Sequence, residues 1–149
     1  MEMILFMGIQ ATGKSSFYKA RFYRTHVRLN YDMLKTRRRE ELLLKACIEG
    51  KTKFVVDNTN LTCAERARYI PSSRNAGFKV VGYFFESRVG DALRRNSMRN
   101  EAERIPDKGI LAASARLELP SRGEGFDELF FVRLNDTDGF AVEEWKDEI

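Results

Sequence analysis

Long apolar runs are missing from this sequence. No stretch approaches the roughly 20 consecutive apolar residues that a membrane-spanning helix needs, so a soluble protein is expected. The opening MEMILFMG carries an acid at Glu2 and an apolar segment too short for the hydrophobic region of a secretion signal. That predicts an intracellular, cytoplasmic setting with no membrane partner, and the segment reads better as a first strand. Cysteine is scarce: Cys47 and Cys63 fit no metal-ligand spacing. Both fall on predicted helices, which favours buried or half-buried thiols over a disulfide. Internal repeats, low-complexity tracts and linkers are also absent. A chain of 149 residues can bury one core but leaves no room for a second catalytic domain, so a single domain over residues 1–149 is expected.

Hydrophobic residues make up 43% and charged residues 32%, an ordinary globular balance. Lys plus Arg exceed Asp plus Glu by 26 to 22, a net charge of +4 that permits binding to polyanions without demanding it. The basic residues cluster: Arg37, Arg38 and Arg39 are consecutive, and Arg94, Arg95, Arg99 and Arg104 recur through a second stretch. Either cluster, taken alone, is also what a solvated helix face looks like.

Strand-like and helix-like segments alternate from end to end, which points to an α/β fold with a parallel sheet covered by helices. Strands are predicted at Met3 to Met7, Val27 to Asn30, in KFVVDNTN, in FKVVGYFFE and at Leu129 to Leu134. Helices are predicted from Lys14 to about Arg24 and as one long segment after Asp32, with Leu43, Leu44, Cys47 and Ile48 on one face and Gly50 as a left-handed terminator. The capping-box spacing of Thr62 and Glu65 opens another, passing or kinking at Pro71 and ending by Gly77. A further helix is expected from Ser87 into the arginine-rich stretch, one near Ile110 to Leu117, and an amphipathic surface helix over Gly139 to Ile149.

The most informative stretch is GIQATGKSS, just after the first strand. Gly8, Gly13, Lys14 and Ser15 fit G-x-x-x-x-G-K-[ST], with the required strand before and helix after. Gly8 and Gly13 permit torsions that a side chain would oppose, so successive N–H groups can turn inward around a β-phosphate. The helix starting near Lys14 aims its positive end at the same anion. Lys14 adds a point charge toward the β- and γ-phosphates, and the Ser15 hydroxyl can ligate Mg²⁺. Gln10, Ala11 and Thr12 carry no signal in their side chains, but the main chain of Ala11, Thr12 and Ser16 belongs to the nucleotide cradle. ATP and Mg²⁺ are the cofactors this implies.

Three further constellations follow strand ends, where an open α/β sheet gathers its reacting groups. Asp32, in LNYDMLK, has two readings: a base for an attacking hydroxyl, or a plain helix cap. Lys35, one turn on, could fix an anionic acceptor. Asp57, ending FVVD, is placed either to bind Mg²⁺ through its waters or to cap the turn made by Asn58 to Asn60. Asn58 and Thr59 either face the substrate cleft or hold the loop. RRNSMRNEAERIP, with Arg95 and Arg99 four apart on a predicted helical face, has the makings of a cationic lid that excludes water from a transferring phosphoryl group.

These residues together resemble the kinase domain of the end-healing polynucleotide 5′-kinases. LNYDMLK, VVDNTN followed by ERARY, RRNSMR, RIP, and EGF before the last strand occur in that family's order, from about Met3 to Leu134. The interval between Asp32 and Asp57 is more like that of the animal kinase/phosphatases than of the phage enzyme. The resemblance implies a P-loop kinase fold with a five-stranded parallel sheet in the order 2-3-1-4-5 and an arginine-rich lid. It implies Asp32 as general base toward a 5′-hydroxyl, Lys35 toward the acceptor strand, Arg99 on the donor phosphates and Arg95 near the adenine. Tyr31 stands where family members commonly carry arginine, which removes one cation from the acceptor side. NDTDGF imitates the start of a phosphoaspartate phosphatase, but too little chain follows to build one, so it reads as a turn with an aspartate cap.

The favoured expectation is transfer of the ATP γ-phosphate to a 5′-hydroxyl end of DNA or RNA, with separate phosphatase or ligase partners left open. A kinase of a nucleoside, sugar or antibiotic would keep the same machinery. A nucleotide- or nucleic-acid-binding module without chemistry is the third expectation.

Overall fold

The first strand, β1 (Glu2–Met7), explains the architecture. From Met3 to Met7 every residue is buried, and successive side chains serve opposite faces. Met3, Leu5 and Met7 pack with Leu29, Phe54 and Val56, whereas Ile4 and Phe6 pack with Phe17, Val55 and Phe85. A strand buried on both faces belongs at the centre of a parallel sheet. The computed structural model describes residues 1–135 and 139–147. After β1 come α1 (Lys14–Arg21), β2 (Val27–Leu29), α2 (Tyr31–Leu34), α3 (Arg37–Glu49), β3 (Phe54–Val56), α4 (Cys63–Arg66) and α5 (Ile70–Asn75). Then follow β4 (Lys79–Phe85), α6 (Val89–Ser97), α7 (Asp107–Arg116), a 3₁₀ turn at Arg122–Glu124, β5 (Glu128–Asn135) and β6 (Gly139–Glu144).

The sheet runs β2-β3-β1-β4-β5-β6. Leu5 of β1 lies beside Val56 of β3 and Gly82 of β4, both parallel, and the pairs β2–β3 and β4–β5 are parallel too. The five parallel strands therefore have the expected order. From β1 the chain first goes out to β2 at the edge and returns to β3 between them, then crosses to β4 and β5 on the other side. The crevice at such a reversal opens at the carboxyl ends of the strands, where β1 delivers the Gly8 loop, β2 delivers Asp32 and β3 delivers Asp57.

A sixth strand corrects the five-stranded expectation and replaces the predicted surface helix at the tail. In β6, Phe140 and Val142 pack inward while Ala141 and Glu143 are exposed, a period of two. It pairs antiparallel with β5, Val142 opposite Val132 and Phe140 opposite Leu134, and so covers a sheet edge that would otherwise expose unpaired main-chain groups. Trp145, 4% exposed, then packs its ring 5.4 Å from Phe84 and 6.2 Å from Phe131. The aspartates of the expected NDTDGF turn, at positions 136 and 138, lie outside the described residues.

The segment after Asp32 is two helices rather than one. Lys35 adopts φ 75°, and the Thr36 hydroxyl caps a new start by accepting the Arg39 N–H at 3.2 Å. Gly50 is not left-handed: its φ is −80°, and Lys51 at 49° takes that role. Glycine is needed at Gly50 for close approach, because a Cβ there would lie 2.9 Å from the Ala46 carbonyl oxygen. The helix expected through Pro71 is interrupted before it. Pro71 instead sits in the first turn of α5, where its missing N–H costs nothing. At the start of α4 the Thr62 hydroxyl accepts the Glu65 N–H at 3.1 Å, while the Glu65 carboxylate reaches one residue further back than in a capping box, to the Leu61 N–H at 2.9 Å.

Candidate functional site

The loop between β1 and α1 is held at both ends. Gly8 donates its N–H to the Thr59 carbonyl at 2.9 Å, and Ile9 donates to the Ser87 hydroxyl at 3.1 Å. Gly8 has φ 144°, and a Cβ there would press on the Phe85 carbonyl oxygen at 3.0 Å. Gly13, at φ 95°, turns the chain into α1. Among the described residues no acceptor receives the main-chain N–H groups of residues 10–16, which leaves them free for an anion at the positive end of α1.

Lys14 is buried and its ammonium donates to the carbonyls of Gly8 at 2.9 Å and Ile9 at 2.6 Å, with the Thr12 hydroxyl at 3.4 Å. Burial pushes its pKa down to about 8, against the attraction of Asp57 and with the repulsion of Arg99. A polyanion entering the loop would reverse that penalty.

Asp57 is 2% exposed, and its Oδ2 accepts from the Ser15 hydroxyl at 3.3 Å and from Arg28 Nε at 2.8 Å. A hydroxyl and a carboxylate this close are hard-oxygen donors of the kind Mg²⁺ takes together with substrate phosphates. The pair fits the metal that a phosphate loop implies. No cluster of three or more His, Cys, Asp or Glu among the described residues could hold a metal without such help.

Asp32 is exposed in the first turn of α2 and does not cap it. The cap is Asn30, whose Oδ1 accepts the Met33 N–H at 2.9 Å. The Asp32 carboxylate thus faces the cleft without a structural duty. Asn58 holds this helix in place: its Oδ1 accepts the Tyr31 N–H at 2.8 Å, and its amide donates to the buried Glu40 at 2.9 Å. Glu40 also accepts from the Tyr69 hydroxyl and from Arg37 Nη1, the latter at 2.9 Å. Burial, then the hydrogen bond to Glu40, raises the Tyr69 phenol well above its usual range. The anchored Arg37 guanidinium lies 4.4 Å over the Tyr31 ring.

A cleft of about 400 Å³ gathers these groups: Ala11, Gly13, Lys14, Ser15 and Ser16 from the loop, Asp32, Asp57, Asn58, Thr59 and Arg99. Lys35 is exposed and does not line it. Arg95 and Arg99 do not share a helical face. Arg95 lies in the last turn of α6 and reaches the Ala11 carbonyl at 3.4 Å, whereas Arg99 lies past the helix, in a segment clasped by Asn96 through both the carbonyl (2.6 Å) and the N–H (3.1 Å) of Ile105. Sequence reasoning missed Gln10, Asn30, Arg37 and Glu103 in the lining, and Arg28 beneath it. The signal for Arg37 was its i, i+3 spacing to Glu40 after the Thr36 cap. For Arg28 there was none, since an arginine in a short strand carries no mark.

A family model described as an AAA domain matches residues 3–120, from β1 through α7. The chain belongs to the AAA domain family. This AAA domain is similar, at 26% identity over 145 residues, to a bifunctional polynucleotide phosphatase/kinase of Schizosaccharomyces pombe (strain 972). The match takes in 91% of this chain and 35% of that protein, so the AAA domain spans about a third of the length of the curated relative it matches. Its fold is similar to that of Chaetomium thermophilum Kti12 in complex with ADP-AlF3, with TM-score 0.67, 14% identity and 91% of each chain covered. It is similar also to a gluconokinase from Sinorhizobium meliloti 1021, with TM-score 0.60, 17% identity, and 87% of this chain and 82% of that one covered. At such identities the likeness is one of fold: an α/β P-loop kinase fold with a six-stranded, mostly parallel sheet. By architecture this AAA domain has a P-loop kinase-like fold, with its phosphate loop opening onto the cleft. Among the described residues no helix is long and apolar enough to cross a membrane.

Proposed function

We propose that this protein transfers the terminal phosphate of ATP to the 5′-hydroxyl end of a nucleic acid. The observation that carries the reading is an Asp32 carboxylate free of capping duty, on the cleft that the Gly13–Ser16 loop also lines. Asp32 accepts the proton of the attacking hydroxyl, whose oxygen bonds to the terminal phosphorus as the bond to the bridging oxygen breaks and ADP departs. The free N–H groups of the loop hold the β-phosphate, and Lys14 and Arg99 offset the charge that spreads over the transferring group. Mg²⁺ held at Ser15 and Asp57 would supply further charge neutralisation on the phosphates. Asn58 keeps Asp32 in register by fixing α2, which makes it a positioning residue.

The acceptor side favours a nucleic acid. Tyr31 offers an aromatic face beside the base, and Arg37, with a 46% exposed side chain, offers a cation on the same cleft. Stacking plus phosphate neutralisation suits a nucleobase and its phosphodiester, and binding of that kind weakens as salt rises. The similarity to the bifunctional polynucleotide phosphatase/kinase agrees with it. Competition between a short 5′-hydroxyl oligonucleotide and a free nucleoside tests the assignment. Labelling of the oligonucleotide supports it; labelling of the nucleoside alone moves the function to small-molecule kinases.

A further inference from the structure

The pair assigned to the metal is bridged by an arginine. Arg28 Nε donates to Asp57 Oδ2 at 2.8 Å, and its Nη2 donates to the Ser15 hydroxyl at 3.0 Å. Arg28 is the ion-pair partner of Asp57, and Lys14 spends its hydrogen bonds on the loop instead. A carboxylate 2% exposed is costly without a counter-charge, so Asp57 needs a cation in every state of the site. A guanidinium and a divalent ion cannot both sit against the same carboxylate oxygen and the same hydroxyl, since they would occupy one space and repel across it.

We propose that Arg28 is a tethered counter-ion that exchanges with the metal: it neutralises Asp57 and orients Ser15, and it leaves both when metal and nucleotide enter together. The inference rests on Ser15 and Asp57 being the metal site of the proposed kinase. The fold provides a place for the displaced side chain. A recess of about 500 Å³ adjoins the site, lined by Ser15, Tyr18, Lys19, Tyr23 and Arg28 itself, and the Lys19 side chain on it is exposed to solvent, which screens its charge. The Arg28 guanidinium already lies 5.7 Å from the Tyr18 ring centre, a contact it can keep on leaving the carboxylate, and the 70% exposed Tyr23 lines the same recess. β2 is the edge strand of the sheet, so this side chain moves without disturbing a neighbouring strand. The arrangement makes the site select metal and nucleotide jointly over metal alone, because only the added ligands compensate for the lost ion pair.

Binding of Mn²⁺, read by electron paramagnetic resonance, tests the exchange without turnover. It is measured with a non-hydrolysable ATP analogue in the wild type, Arg28→Gln, Arg28→Lys and Asp57→Asn, each checked by thermal unfolding. Arg28→Gln removes a charge-assisted contact that competes with the ion and is expected to tighten Mn²⁺ by about tenfold. Arg28→Lys, which keeps the charge but not the two-pronged geometry, falls between and serves if the glutamine variant does not fold. Asp57→Asn is expected to weaken Mn²⁺ by about tenfold or more. Unchanged or weaker binding in the Arg28 variants, with Asp57→Asn weakened, overturns the exchange while leaving the metal site standing. Unchanged binding in Asp57→Asn removes the metal site and the exchange with it.

Discussion

Replacing Arg66 by methionine should cost this domain a large part of its stability. Arg66 is fully buried and donates to both oxygens of Glu124, at 2.7 and 3.2 Å, and to the carbonyls of Asn60, Leu61 and Glu118 at 2.9, 3.2 and 3.1 Å. It ties the 3₁₀ turn before β5 to the loop that carries Asp57 to Asn60. Methionine fills much of the volume but leaves Glu124, whose side chain is 9% exposed, without its ion pair. Breaking one side of a buried pair costs about 3–5 kcal/mol. At about 2–4 °C per kcal/mol for a domain of this size, the melting temperature should fall by roughly 6–20 °C. Removing Glu124 as well, in Arg66→Met with Glu124→Gln, should restore part of this, since the stranded charge is gone and only the three carbonyls have lost a donor.

Urea unfolding at several pH values gives a second readout. Burial by itself would raise the Glu124 carboxyl, but the hydrogen bonds from Arg66 and from the Ser121 N–H outweigh it and hold the group below its ordinary 4.5. A lowered folded value means the pair's stabilisation is complete above the ordinary value and is lost as pH falls through the folded one. The gap between wild type and Arg66→Met should therefore narrow in acid. A cost under about 1 kcal/mol at neutral pH, or a double variant no better than the single one, would refute the reasoning.

Other expectations concern the cleft. Gly13→Ala places a Cβ 3.0 Å from the Phe140 ring at φ 95°, so unfolding free energy should drop by about 1–2 kcal/mol and nucleotide affinity with it, as denaturation and titration would report. Asn58→Ala removes the bond to the Tyr31 N–H and should lower kcat more than nucleotide affinity, because it loosens Asp32 and leaves the phosphate loop alone. Arg99→Ala should reduce kcat by about 10² in steady-state assays, the usual loss when one donor to a developing charge is removed.

The phosphate loop was legible because its constraint is local. Two glycines with left-handed or close-packed duties, a lysine and a hydroxyl must follow one another whatever the rest of the chain does. Asp57 could be placed because a β-branched run ending in an acid announces a strand end facing a crevice. That Asp32 does not cap its helix needed coordinates, since it turned on Asn30, two residues away, taking the cap. Three adjacent arginines point in different directions from a helix start, and the sequence does not say which one Tyr31, Glu40 and Tyr69 will orient. The structure selects Arg37, while Arg39 instead reaches back to the Leu34 carbonyl at 3.2 Å.

The misread tail has a similar cause. Phe140 and Val142 are spaced as in a strand but Val142 and Trp145 as in a helix, so neither period runs through so short a segment, and pairing with the edge of β5 decides between them. Lys35 and Thr36 split one predicted helix because a strong local cap competes with continued periodicity.

Asp32→Asn tests the central claim most directly, with phosphate transfer to a 5′-hydroxyl oligonucleotide and equilibrium binding of an ATP analogue measured on the same preparation. The account predicts that kcat falls by about 10² or more while analogue affinity holds. Equal loss of both, or of neither, would contradict it.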